Sequence, residues 1–154
     1  MTEQTQKKYE LLKDDTVNHH GRTLYRIKAL ITFGLVAAGE LGGYIETEKN
    51  LDHSGNAMVY GNARVCGNAR VYGNALVRSF AVISERKMIF CASNVGPKNG
   101  TLTVFNGKYG LIVTRGCFTG TVDEFLSKSK EVHDNKTHHE YKLLIEVAQS
   151  RILN

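Results

Sequence analysis

A six-residue repeat constrains this chain more than any other feature of its sequence. Residues 55–84 read GNAMVY GNARVC GNARVY GNALVR SFAVIS, so four hexads share the core GNAxV and a fifth keeps the Ala and an aliphatic residue. Side chains two residues apart on a strand point to the same side, which places the Ala and Val of each hexad on one face. Gly supplies the positive φ that a tight corner needs. Each hexad is therefore predicted to be a short strand followed by a corner.

The strand pattern divides the repeat into an inward and an outward face. The inward set is small and aliphatic: Ala57, Val59, Ala63, Val65, Ala69, Val71, Ala75, Val77, Ala81 and Ile83. The outward set is mixed: Met58, Tyr60, Arg64, Cys66, Arg70, Tyr72, Leu76, Arg78, Val82 and Ser84. Small Ala beside β-branched Val suits a narrow, closely packed interior.

The repeat resembles the hexapeptide repeat of left-handed parallel β-helices, in which three hexads make one triangular coil. The left hand comes from this resemblance alone, because most parallel crossovers are right-handed. Residues 18 positions apart would then stack on neighbouring coils, Tyr60 under Arg78 and Met58 under Leu76. Ile45 and Leu51 are expected to continue the Ala register upstream, which gives about two coils from residue 45 to residue 84.

The segments on either side of the repeat predict a mainly β protein in three parts. Residues 1–44 are expected to form an N-terminal β cap, with a frayed start through Lys8. Residues 45–84 form the repeat. Residues 85–154 are predicted to form an antiparallel β-meander followed by two α-helices. Capping boxes at Thr121 with Glu124 and at Thr137 with Glu140 are predicted to start these helices.

A wider resemblance covers the chain from about residue 23 to residue 152. The segments LYRIKAL, AGELGGYIE, EKNL, GPKNGTLTVF and RGCFTGTVDEF, together with the hexads, are similar to those of a group of small repeat proteins found in bacteriophages, prophages and gut bacteria. The resemblance implies the architecture described above and an origin in a mobile element. It implies no catalytic residues.

Composition narrows the setting in which the chain is expected to work. The formal net charge is +5 and the pI is about 9.1, which mildly favours an anionic partner. The three cysteines have no CxxC spacing and are an odd number, as is typical of a reducing cytoplasm. No apolar run is long enough to span a bilayer, and the N-terminus lacks the apolar segment of a signal peptide. The sequence therefore predicts a protein of the bacterial cytoplasm without membrane contact.

Catalysis and metal binding find little support in the sequence. Many hexapeptide-repeat proteins are acyltransferases that use a His as general base and bind coenzyme A between subunits. His53 is the only His near the repeat, and no loop interrupts residues 55–84. His138 and His139 are adjacent on a predicted helix and point apart, so they do not form a metal site. We expect no catalytic residues, no metal and no cofactor, with acyl transfer at a subunit interface as the alternative.

Three sets of residues are candidates for binding. The arginines and tyrosines of the outward face combine phosphate binding with base stacking; they are Arg64, Arg70, Arg78, Tyr60 and Tyr72. A second anion site is predicted at the loop of residues 93–100, with Lys98, Asn99 and the nearby Arg115. Met58 and Leu76 are expected to form an exposed apolar stripe that joins copies of the chain, most simply as a trimer.

These observations predict a non-catalytic, oligomeric binding protein of phage or prophage type. Its role would be to counteract bacterial immunity by sequestering an anionic nucleotide signal, such as a cyclic nucleotide, or by binding a host defence protein. Nucleic-acid binding is a weaker alternative, because no segment resembles a groove-reading motif.

Overall fold

The computed structural model describes residues 7–153 and shows a mainly β chain that ends in two helices. Its strands are β1 (Tyr9–His19), β2 (Arg22–Ala29), β3 (Leu41–Ile45), β4 (Met58–Val59), β5 (Arg64–Val65), β6 (Leu76–Val77), β7 (Val82–Ile83), β8 (Ile89–Val95), β9 (Gly100–Gly107), β10 (Gly110–Arg115) and β11 (Phe118–Thr121). The helices are α1 (Val122–Val132) and α2 (Asn135–Ile152).

Parallel strand pairs give the repeat its register. Met58 pairs with Leu76 and Arg64 with Val82, so the pairing offset is 18 residues, as three hexads require. All ten residues of the predicted inward face are at most 2% exposed, which confirms the inward assignment, whereas Met58 and Cys66 of the predicted outward face are also buried. The strands lie in three separate sheets, and no sheet within residues 7–153 closes on itself. The left-handed β-helix therefore stays a prediction.

The register upstream of the first full hexad differs from the prediction. Ile45 pairs with Val65 and Leu51 bridges to Val71, an offset of 20 residues rather than 18. These residues therefore continue the Val register, and the predicted Ala register is wrong. The cause is the corner between Leu51 and Val59, which is two residues longer than those between successive Val positions downstream.

The N-terminal segment extends the sheet of the repeat. Strands β1 and β2 form an antiparallel hairpin, β2 pairs with β3, and β3 pairs in parallel with β5. The predicted fraying at Lys8 is wrong, because this side chain is 1% exposed and its Nζ donates to the Ala57 carbonyl at 2.8 Å. Residues 2–6 of the predicted frayed segment lie outside the described residues.

The C-terminal strands form the predicted antiparallel meander, in the order β11-β10-β9-β8, and cover the end of the repeat. Side chains of the meander take the hydrogen bonds that another coil would make. Thr114 Oγ1 donates to the Leu76 carbonyl at 2.6 Å, and Asn106 Nδ2 donates to the Val82 carbonyl at 3.0 Å. The Leu76 amide donates to Thr103 Oγ1 at 3.3 Å. The meander therefore satisfies backbone groups that an open coil end would leave unpaired.

Each of the two helices is preceded by an N-cap residue whose side chain accepts a backbone hydrogen bond. Helix α1 has the predicted capping box, in which Thr121 and Glu124 bond to each other's backbone amides. The predicted start of α2 at Thr137 is wrong: Asp134 is the N-cap, and its carboxylate accepts from the Thr137 amide at 2.8 Å. Aspartate is a stronger N-cap than threonine, so the helix begins at Asn135.

Candidate anion-binding groove

A basic concave surface lies where three parts of the chain meet. Its floor is the outward face of β3, β5 and β7, where Tyr44, Arg64 and Val82 are stacked in register. The tip of the β1–β2 hairpin forms one side and the tip of the β9–β10 hairpin forms another. The groove encloses about 760 Å³. No Asp or Glu of residues 7–153 lines it, whereas His19, His20, Arg64 and Lys108 do.

The hairpin tip that carries the histidines is fixed by a tight turn. His20 and Gly21 both adopt positive φ, at 49° and 83°. Two such residues in succession are typical of the two-residue turns that match the twist of a hairpin. The Gly21 amide also donates to Asn18 Oδ1 at 3.2 Å. The turn places the rings of His19 and His20 edge to face, 4.4 Å apart, at the side of the groove.

Arg64 links the floor of the groove to this hairpin. Its Nη1 donates to His19 Nδ1 at 3.3 Å, so the imidazole accepts through that nitrogen. Burial lowers the pKa of His19, and the neighbouring His20 and Arg64 lower it further. Within the described part of the chain, Arg64 has no carboxylate at salt-bridge distance. Its remaining donors are therefore available to an anion in the groove.

An aromatic surface lies beside these cations. Phe80 lines the groove and is 49% exposed, and its ring meets that of Tyr109 edge to face at 5.9 Å. Lys108 lies 5.4 Å from the centre of the Tyr109 ring. Phe80 occupies the position that Asn holds in the other hexads, and the preceding Ser79 adopts a φ of 64° where they have Gly. The groove thus combines positive charge with an exposed aromatic ring.

Of the outward residues predicted to bind an anion, only Arg64 lines this groove. Arg70 donates from Nη2 to both oxygens of Asp52 at 3.1 Å and lies over the exposed ring of Tyr72. Arg78 donates to the Gly116 carbonyl at 2.8 Å and lies 5.2 Å from the centre of the Tyr60 ring. The stacking of Tyr60 with Arg78 agrees with the 18-residue register. These two arginines serve the chain's own contacts.

The predicted loop site is already engaged with helix α2. The Gly96 amide donates to Glu140 Oε1 at 2.9 Å, so a carboxylate of the chain itself takes the position expected for an anion. Arg115 donates from Nε to Tyr141 Oη at 3.2 Å. Lys98 and Asn99 are exposed in the turn between β8 and β9. The loop therefore holds α2 against the meander.

The predicted apolar stripe at Met58 and Leu76 is not an exposed surface. Met58 is 0% exposed, and a Cβ added at Gly42 of β3 would lie 2.6 Å from its terminal methyl group. Leu76 is half-buried, and both of its backbone groups bond to the meander. The expectation that Met58 contacts another copy is wrong, because the N-terminal cap packs on that wall.

His53 is held by contacts within the fold at both of its ring nitrogens. Its Nδ1 accepts from the Lys8 amide at 3.0 Å, and its Nε2 lies 2.9 Å from Glu48 Oε1. Its ring also stacks on Tyr9, with centroids 4.2 Å apart. The backbone of Lys8 and the carboxylate of Glu48 therefore engage both ring nitrogens.

Residues 7–153 contain no group of three or more His, Cys, Asp or Glu side chains suited to holding a metal ion. No helix in that part of the chain has the length and apolar character needed to cross a membrane. No protein-family model matches the sequence, and a search of the curated proteins finds no match.

The sequence identified Arg64 and missed the other members of the groove. His19, His20, Phe80 and Lys108 lie outside the GNAxV pattern, and only the fold brings them to one place. One signal was present in the sequence: the fifth hexad replaces Gly-Asn with Ser79-Phe80. A large aromatic residue at an exposed corner departs from the repeat and indicates a surface with another use.

Proposed function

We propose that the protein is a non-catalytic binding protein that holds a nucleotide in the groove around Arg64. One observation carries this proposal. Arg64 lies on the groove floor without a carboxylate partner among the described residues, and the exposed ring of Phe80 lines the same groove. A phosphate matches the donors of a guanidinium, and a base stacks on an aromatic ring. The volume of about 760 Å³ falls within the range of small-molecule sites.

The electrostatics of the groove favour an anion over a neutral ligand. Arg64, Lys108 and the two histidines all contribute zero or positive charge, and the net charge of +5 adds a favourable long-range field. All of these residues come from one copy of the chain. The proposed site is therefore complete in a monomer, and a trimer is not required for binding.

The biological role extends the same proposal. On the resemblance of its sequence segments to phage and prophage proteins, the protein would act in the bacterial cytoplasm and remove a nucleotide signal used in host immunity. Direct binding of a host defence protein is the competing role. The repeat would adopt the left-handed β-helix of the hexapeptide proteins. The 18-residue pairing offset supports three hexads per coil, and the left hand rests on the resemblance alone.

Isothermal titration calorimetry with 5′-AMP and 5′-GMP at low salt tests the proposal. We expect saturable binding that weakens about tenfold or more in Arg64→Ala, since a charge-assisted hydrogen bond contributes about 1.5–3 kcal/mol. Phe80→Ala should weaken binding by about 1–3 kcal/mol through lost stacking. Arg70→Ala is the matched control, an arginine of the same repeat outside the groove, and should bind as the wild type does. Absence of binding, or equal losses in Arg64→Ala and Arg70→Ala, would overturn the proposal.

A further inference from the structure

A second groove adjoins the one that contains Arg64. It encloses about 680 Å³. It shares His19, His20 and Val82 with the first groove, so the two are continuous around the tip of the β1–β2 hairpin. The two shared histidines lie where the first groove meets the second. A ligand longer than a mononucleotide would therefore extend from one groove into the other past the same hairpin.

The second groove differs from the first in charge. It is lined by two basic residues, Arg22 and Lys49, and by two acidic residues, Glu46 and Glu85. The Glu46 carboxylate accepts from the Gly67 amide at 2.8 Å and from Arg22 Nη1 at 2.9 Å, and these bonds lower its pKa. Glu46 is therefore ionised at neutral pH. A second phosphate would gain little binding free energy in this groove, because its two basic and two acidic residues balance.

The polar groups of the second groove suit a nucleoside. Its lining includes three residues with polar side chains, Thr47, Ser84 and Asn68. Hydroxyl, amide and carboxylate groups bond to sugar hydroxyls and to the edges of bases. Asn68 is exposed at a repeat corner, next to the left-handed Gly67. The chemistry changes from phosphate binding to sugar and base binding along one continuous surface.

We propose that the ligand is a dinucleotide, two nucleosides joined through phosphate, that spans both grooves. The first base stacks on Phe80. The linking phosphate lies beside Arg64 and His20, where the grooves meet. The second nucleoside bonds to Asn68 and its neighbours in the second groove. This inference rests on the proposed function and adds the length of the ligand to it.

Titration with dinucleotides and mononucleotides tests this length directly. The probes are adenylyl(3′→5′)adenosine and guanylyl(3′→5′)guanosine, compared with 5′-AMP and 5′-GMP. We expect at least one dinucleotide to bind tenfold or more tightly than its mononucleotide. Asn68→Ala should weaken dinucleotide binding at least threefold and leave mononucleotide binding unchanged.

The repeat offers a matched control for this variant. Asn74 holds the same position in the next GNA corner, is also exposed and does not line either groove. Asn74→Ala should therefore bind every probe as the wild type does. Equal affinities for the two ligand lengths, or equal effects of Asn68→Ala and Asn74→Ala, would overturn the dinucleotide inference. Loss of mononucleotide binding in Arg64→Ala would still support the proposed function, whereas failure of every probe to bind would overturn both.

Discussion

Nη1 of Arg64 lies 3.3 Å from Nδ1 of His19, which joins the repeat to the N-terminal hairpin across 45 positions of sequence. The bond requires a neutral imidazole, because an imidazolium has no acceptor nitrogen. His19 is therefore an acceptor for Arg64. An anion bound between them would reverse this relationship, since it would favour the protonated ring.

Anion binding should tighten as the pH falls. The pKa of His19 is lowered in the free protein by burial, by His20 and by Arg64, and Lys108 also lines the groove. A bound phosphodiester raises that pKa, so binding takes up a proton and is favoured at lower pH. Titration with a dinucleotide at pH 5.5 and pH 7.5 should show several-fold tighter binding at pH 5.5.

The variant His19→Gln isolates this proton. It should show a smaller change in affinity between the two pH values, whereas His139→Gln, an exposed residue of α2, should behave as the wild type. An affinity that is flat or falls as the pH is lowered would contradict the assigned role of His19.

A charge inside the repeat should unfold the chain. Val71 is 0% exposed and Tyr72, the next residue, is 54% exposed. Burying an unpaired carboxyl group, charged or protonated, costs a large part of the usual domain stability of about 5–15 kcal/mol. We expect Val71→Asp to lose the cooperative melting transition seen by circular dichroism, and Tyr72→Asp to keep it. A Val71→Asp protein with an unchanged melting curve would show that the two faces are assigned incorrectly.

The cap on the end of the repeat should depend on one hydroxyl group. Thr114 Oγ1 donates to the Leu76 carbonyl at 2.6 Å, and Thr114 is 0% exposed. Thr114→Val keeps the shape and leaves that carbonyl without this donor, which should lower the free energy of unfolding by about 1–3 kcal/mol. Chemical denaturation measures the change. Thr23→Val, at an exposed position of β2, should stay within about 0.5 kcal/mol of the wild type. Equal small effects would show that the bond is not a structural cap.

Lys8 should make stability depend on pH in the alkaline range. Burial lowers the pKa of this side chain from 10.5 to about 8, against a smaller opposing effect of Asp52. Between about pH 8 and pH 10.5 the unfolded chain binds more protons at Lys8 than the folded chain does, so its contribution to stability rises with pH.

Lys8→Met removes this titration and keeps a long side chain. The melting temperature of the wild type minus that of Lys8→Met should therefore increase between pH 7.5 and pH 10. A constant difference, or a difference that falls with pH, would contradict the lowered pKa.

The repeat could be predicted from sequence because its period is local. The alternation of Ala57 and Val59, repeated in each hexad, determines the buried face, whereas the 18-residue register was expected from the resemblance to proteins with three hexads per coil. The error at Ile45 arose where the period itself changes, at a corner two residues longer than those downstream. Periodicity carries no information about such an insertion until the strand pairing is known.

The candidate site was less accessible to sequence reasoning because it is assembled from distant segments. Arg64 was identified from the outward face of the repeat, but nothing local distinguishes it from Arg70 or Arg78. The distinction comes from tertiary contacts: Arg70 is paired with Asp52 and Arg78 is held by the meander, while Arg64 meets only a neutral histidine among the described charged and titratable groups. Burial of Met58 likewise depends on how the N-terminal cap packs.

Native mass spectrometry of the protein purified from a bacterial host at low salt, followed by addition of dinucleotide, tests the central claim most directly. We predict that the wild type carries or takes up one nucleotide-range mass per chain and that Arg64→Ala does not, while Arg70→Ala matches the wild type. A wild-type protein that stays bare after addition of millimolar mononucleotide and dinucleotide would contradict a nucleotide site in the groove.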